Sequence, residues 1–470
     1  MINEVSSNDA RRTRRPAVLI LLLCAAGFML FLDTTIVGVS LAAIGRDLNT
    51  SVSELQWVVN SYLLALVFLL MSAGVFVDWL GARLAVLLGI ILFSISSMLC
   101  AISVSVEWLI FARCIQGLAA SIITPGCIGA LVGIYPRKRE QAVMIGVWSA
   151  VSGTALAIGP IVGAALVVAI DWRAVFWLNV PLGIWAIAHL FASSGEDRTK
   201  IPSPAQSTDS VLLGAGAGLM VVLLVQGTQW SLLEPRFLAL MAACAAIVIA
   251  LLIRFFKRRK SEEDVKPDHA RLVAALLAGT CAMAALYSVI FAVSLLDQTI
   301  FGRDVLAVGL GFLPLTCGLF IASLVAGWLA DRVEPLKIVA VGLVMLAIGL
   351  SLIALVASSP DSTLRGLALA VIGVGASGAL TPGTIALVRL SGSGRAGSVS
   401  GLSNTLRNVG AAVGTAISGA MLGGRLDAPQ LQGGRAALAV CATLSVFSAA
   451  VVIGVLVSNH RASHSLSKAP

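Results

Sequence analysis

Uncharged apolar stretches of about twenty residues follow one another along nearly the whole of this 470-residue chain, and that pattern leaves few folds open. A bilayer's hydrocarbon core is about 30 Å thick and takes roughly 20 apolar helical residues to cross. Lipid offers no partner to backbone N–H and C=O groups, so only helices or a closed barrel span it. The alternating apolar and polar positions of a barrel strand are absent. The chain therefore reads as an all-α integral membrane protein. Charged residues make up 12% of it, against about 25% in a soluble domain, which excludes a soluble enzyme carrying one anchor.

The approximate spans are 17–41, 55–77, 84–104, 108–134, 142–168, 174–191, 211–228, 237–256, 272–296, 305–329, 338–357, 364–388, 399–422 and 436–457. Fourteen crossings put both ends on one side. The net charge of +9 does not point to nucleic acid, because the basic residues cluster in connections between spans (Arg11 to Arg15, Arg137 to Arg139, Arg254 to Lys260). That is the positive-inside pattern. A cytoplasmic N-terminus puts every lysine on the cytoplasmic side. The layout is then a cytoplasmic tail (1–16), a six-helix half (17–192), a cytoplasmic linker (193–210), two inserted helices (211–256), a cytoplasmic loop (257–271), a second six-helix half (272–457) and a cytoplasmic tail (458–470). A 6 + 2 + 6 arrangement suggests two pseudo-symmetric halves around a midplane site.

The 8 cysteines lie in apolar segments without a C-x-x-C pair and read as small buried hydrophobes, not as a disulfide or metal framework. His460 and His464 lack further ligands, so no metal site is expected. No G-K-[ST] sequence is present for a P-loop. Gly373-x-Gly375-x-x-Gly378 lies inside an apolar span and follows no strand, so it reads as helix packing. No nucleophile–base or metal constellation argues for an enzyme.

Asp33 lies eight residues from the nearer end of the first span, too deep to snorkel, and an intramembrane acid reads as functional by default. The sequence predicts a protonatable site facing a water-filled cavity; the alternative is a structural carboxylate bonded to an arginine or a helix start. Arg113, inside the fourth span, needs an anion or several carbonyls, and Asp33 is the candidate partner. Arg407 in the thirteenth span either lines a cavity or snorkels to the cytoplasmic end. Thr34, Trp148, Gln226 and Asn404 are further cavity candidates. In the fifth span Gly153, Gly159, Pro160 and Gly163 make a smooth, bent helix suited to a contact between moving halves. Gly74, Asp78, Gly81 and Arg83 form a cytoplasmic turn after span two. Asp331 and Arg332 repeat its acid–arginine pattern after span ten, a charge-and-dipole latch in each half.

Together these residues resemble the major facilitator superfamily, specifically its fourteen-helix drug:proton antiporter branch. The run from Leu32-Asp33-Thr34 to Val37 resembles that branch's first-helix motif, the Asp78 turn the superfamily loop motif, and Arg113 with Gln116-Gly117 the fourth-helix motif. Gly159-Pro160-x-x-Gly163 resembles the antiporter motif, and the stretch from Trp172 to Gly183 the opening of the sixth helix. Departures are Gly38, Ser40 and Ala42 in the first motif, Trp79 and Ala82 in the loop, and Ala164 where a second glycine is common. The resemblance implies a multidrug exporter whose two halves rock, with Asp33 and Arg113 coupling protons to cargo and no cofactor beyond the proton gradient. Few membrane acids favour an amphipathic monocationic or neutral lipophilic substrate. The expected setting is a bacterial cytoplasmic membrane, as a monomer. Competing readings are a facilitator or proton-coupled transporter of one metabolite, and a transport-inactive membrane sensor.

Overall fold

The computed structural model describes residues 2–135, 138–192, 269–330, 332–356, 362–422 and 429–466, with 216 and 219; some side chains within these stretches are also outside the description. Every described element is helical: α1 (Ile2–Asp47), α2 (Val52–Leu80), α3 (Ala82–Ala101), α4 (Val106–Ile134), α5 (Lys138–Ala169), α6 (Ala174–Trp177), α7 (Asn179–Ala192), α8 (His269–Thr299), α9 (Val305–Gly311), α10 (Leu313–Leu329), α11 (Pro335–Val356), α12 (Ser362–Leu422) and α13 (Pro429–Leu466). Among the described residues, 9 helical stretches are long and apolar enough to cross a bilayer. The predicted spans 211–228 and 237–256, the linker 193–210 and most of the loop 257–271 lie outside the described residues.

Local chemistry sets the helix ends. Ser51 caps α2 reciprocally: its Oγ accepts from Glu54 N at 3.3 Å, while Glu54 Oε2 accepts from Ser51 N at 2.7 Å, satisfying two orphan donors. Ser105 caps α4 by accepting from Trp108 N. Between α2 and α3 the chain turns at Gly81 with φ +90°, a conformation that disfavours any side chain. The sixth and tenth spans are each two helices, broken at Leu178 and Phe312.

The 61 residues of α12 would extend roughly 90 Å if straight. Yet Arg407 Nη2 donates to Leu380 O at 2.8 Å and to Thr384 Oγ1 at 2.7 Å. The chain must therefore reverse between Thr384 and Arg407, making two packed limbs that correspond to the predicted spans 364–388 and 399–422.

In the first half α1 packs on α5, and α4 on α2 and α3; in the second, α12 packs on α8, α10 and α11. The halves meet through α1 on α8, α2 on α12, and α5 on α9 and α10. Thr415 Oγ1 donates to Asn60 Oδ1 at 2.5 Å, and Gln298 Nε2 to Val39 O at 3.0 Å. Gly419 lies against the Gln56 side chain, and Gly309 against the Pro160 carbonyl and Ala164. All of these contacts sit toward the end carrying the connections 48–51, 102–105, 170–173 and 300–304. That end is sealed.

Candidate functional site

The first half holds a buried polar cluster built on four helices. Asp33 from α1 is 0% exposed and Arg113 from α4 is 1% exposed. Arg113 Nη1 stands 2.6 Å from Asp33 Oδ2 and donates also to Gln116 Oε1 at 2.6 Å, while its Nε donates to Val58 O at 3.2 Å. Arg113 and Gln116 are three apart on α4 and so share a face. Gln116 Nε2 donates to Asp33 Oδ1 at 2.9 Å and to Ser97 Oγ of α3 at 2.7 Å. Asn179 Nδ2, at the start of α7, donates to the same Asp33 Oδ1 at 2.8 Å. The Tyr62 ring lies 4.3 Å from the guanidinium carbon and the Phe176 ring 5.9 Å, a cation–π lining for a desolvated charge.

The arrangement corrects one expectation. The Asp33 carboxylate does not face a water-filled cavity in this conformation. Its side chain points into its own half, where α3, α4 and α7 close around it, and both oxygens are engaged. A helix turns about 100° per residue, so the neighbouring Thr34 faces a different side. Thr34 bonds Phe31 O at 2.7 Å.

The remaining candidates divide. Trp148 is a packing residue in this state, not a cavity wall: it is buried, its Nε1 donates to Leu23 O at 3.0 Å, and its ring meets Phe31 edge-on at 6.0 Å. Arg407 does not snorkel. Its Nη2 is tied to the first limb of α12 as described, its Nε has no hydrogen-bond partner among the described residues, and its side chain covers Gly279. Asn404 accepts from Asn408 Nδ2 through its carbonyl. Gln226 lies outside the described residues.

The antiporter-like stretch also splits. Gly159 and Gly163 pack on α1, against Thr35 and Ile36, and Pro160 with Ala164 meets Gly309 of the other half. The close approach therefore uses Ala164, paired with a glycine across the interface. Gly153 is exposed with open space around it among the described residues. Of the two latches, the Asp78 side chain and all of Asp331 lie outside the described residues. Gly74 is part of α2, Arg83 is half-buried, and the Arg332 guanidinium sits 3.9 Å over the Trp328 ring.

Sequence reasoning left Asn179, Ser97 and Tyr62 out of the cluster, and Gln56, Asn60 and Gln298 out of the seal. The signal was available in part: each is a polar side chain in an apolar run. The missing information was which helix faces they share.

The sequence profile of the Major Facilitator Superfamily matches residues 23–415 and 275–468. The methylenomycin A resistance protein of Streptomyces coelicolor is 31% identical over 85% of this chain and 84% of its own length. The tetracenomycin C resistance and export protein of Streptomyces glaucescens is 30% identical over 88% and 77%. The drug efflux pump JefA of Mycobacterium tuberculosis is 29% identical over 85% and 79%. Among solved structures, an inward-facing, unoccupied bacterial homologue of the human lysosomal transporter Spinster superposes with a TM-score of 0.68 at 17% identity, covering 94% of this chain and 96% of that one. The peptide transporter POT bound to sulfate also reaches 0.68, at 16% identity and 94% coverage of both chains. At such identities these two speak to the fold alone.

Proposed function

The chain belongs to the Major Facilitator Superfamily, and from that premise we propose that it exports drug-like amphipathic compounds, monocationic or neutral lipophilic, in exchange for protons. The observation that carries this reading is the buried Asp33–Arg113 pair with its Gln116 and Asn179 donors. A charge pair removed from water is costly to assemble and more costly to leave half-made. The names of the relatives, as resistance and export proteins, supply the direction of transport and the kind of cargo.

Neutralising Asp33 frees Arg113 from its counter-ion, so proton binding and the arrangement of α1 against α4 are linked. The cluster lies below the sealed end, so the proton it releases leaves by the opposite end. Each charge moved across 100 mV is worth about 2.3 kcal/mol, enough for one or two protons to drive a useful gradient. We assign the sealed end to the outside on the positions of the lysines, with both termini cytoplasmic in a bacterial cytoplasmic membrane. The layout is the fourteen-helix 6 + 2 + 6 arrangement with the boundaries given above, working as a monomer.

A susceptibility panel on cells with and without the protein identifies a cargo. In everted vesicles holding a proton gradient, that compound then releases protons through the wild type and not through Asp33→Asn at equal membrane abundance. Proton release that survives Asp33→Asn removes Asp33 from the mechanism.

A further inference from the structure

The second half carries an ion pair on the helices that correspond in order to those of Asp33 and Arg113. Asp33 and Arg113 stand on the first and fourth helices of their half. Asp297 of α8 and Arg365 of α12 stand on the first and fourth helices of the other, and they too are bonded directly, each with a side chain only 6% exposed. Arg303, from the connection after α8, adds its Nη1 at 3.6 Å from Asp297 Oδ2, and its backbone N donates to Asp297 O at 2.9 Å. The Phe301 ring lies 5.4 Å from the Arg365 guanidinium carbon, and Arg365 Nη1 has no partner among the described residues.

Two features separate this pair from the one in the first half. It stands at the sealed end, and a cavity of about 310 Å³ opens against it, walled by Val293, Val308, Phe312 and Leu369. Each water occupies about 30 Å³ of liquid, so the space admits a short chain of waters. The pair is also continuous with the seal. Gln298, the next residue, donates to Val39 O across the halves. Arg303 leads into α9, whose Gly309 abuts Pro160 and Ala164.

We propose that Asp297 is a second proton-binding site, loaded from the sealed end through this cavity, and that its protonation unlatches that end. The charged groups converging on Asp297 are Arg365 from α12 and Arg303 from the connection. Asp304 instead caps α9 by accepting from Leu306 N. From the other packed helices, α1 offers the Val39 carbonyl to Gln298, and α13 offers Gly434 against Leu296. Arg435, beside that glycine, lines a separate cavity with Ser351 and Leu355. A proton from water binding to Asp297 leaves the buried Arg365 guanidinium without its counter-ion and weakens the hold of Arg303. Separation of the halves at this end readmits water to them. The site is independent of Asp33.

Hydrogen–deuterium exchange of the purified full chain in detergent micelles tests this, reading residues 39–60 and 298–312 at pH 8 and pH 5.5 after correction for intrinsic rates. Each unit by which the proton affinity of Asp297 differs between sealed and opened forms changes the opening constant about tenfold. The wild type should therefore exchange in these segments about tenfold faster at the lower pH. Asp297→Asn should exchange fast at both, Asp297→Glu should restore the response, and Asp33→Asn should keep it. Equal exchange of the wild type at the two pH values overturns the proposal whether or not the variants fold. So does a full pH response in Asp297→Asn.

Discussion

Replacing Asp33 by Asn keeps the shape of the side chain and one carbonyl oxygen for the Gln116 and Asn179 amides. It removes the charge that balances Arg113. Breaking a buried pair from one side costs about 3–5 kcal/mol. Because Arg113 keeps Gln116 Oε1, Val58 O and the Tyr62 ring, the lower end of that range, about 3 kcal/mol, applies. Arg113→Gln alone leaves a buried carboxylate with two amide donors and costs a similar amount, about 3 kcal/mol. The double variant has no buried charge, so the costs should not add; a coupling energy of about 2 kcal/mol or more is expected, within the range for residues in contact. The assay is unfolding by added sodium dodecyl sulfate in mixed micelles at pH 7.5, followed by tryptophan fluorescence for the four members of the cycle. Costs that add to within about 0.5 kcal/mol refute the claim that the pair is held by its charges.

Two further substitutions test how the helices meet. Gly309→Val drives a branched side chain into the Pro160 carbonyl and Ala164; exchange in residues 39–60 should rise, and efflux of a cargo found by the susceptibility panel should fall at least about tenfold, one decade being 1.4 kcal/mol of the cycle. Trp148→Phe loses one hydrogen bond to Leu23 O, worth about 1 kcal/mol, and should lower stability by that amount while leaving the range of exported compounds unchanged. A narrowed range would place Trp148 in the cargo path after all.

How much was legible in advance differs between kinds of feature. The membrane class and the helical spans were readable because hydropathy is a local sum over about twenty residues, and the spans in the described part fall on helix, the sixth and tenth with a break. Even the reversal inside α12 was visible in sequence, as two separate apolar runs at 364–388 and 399–422. Asp33 and Arg113 stood out for the same reason: a charge inside an apolar run is conspicuous whatever its surroundings. Gly153, Gly159 and Gly163 looked alike in sequence, yet two pack against α1 and one meets none of the described residues. Rotation of α5 about its axis decided that, and rotation leaves no mark on composition.

Sequence alone determined what kind of solvent this chain lives in and that Asp33 and Arg113 lie inside apolar runs, because those follow from each segment's own transfer energy. Tertiary structure alone decided that Asp33 turns inward to Gln116 and Asn179, that Thr415 closes on Asn60 from 355 positions away, and that Asp297 has a matching arginine. Such pairings depend on how helices rotate and cross when they pack, and one helical position, about 100°, separates a buried contact from the opposite half.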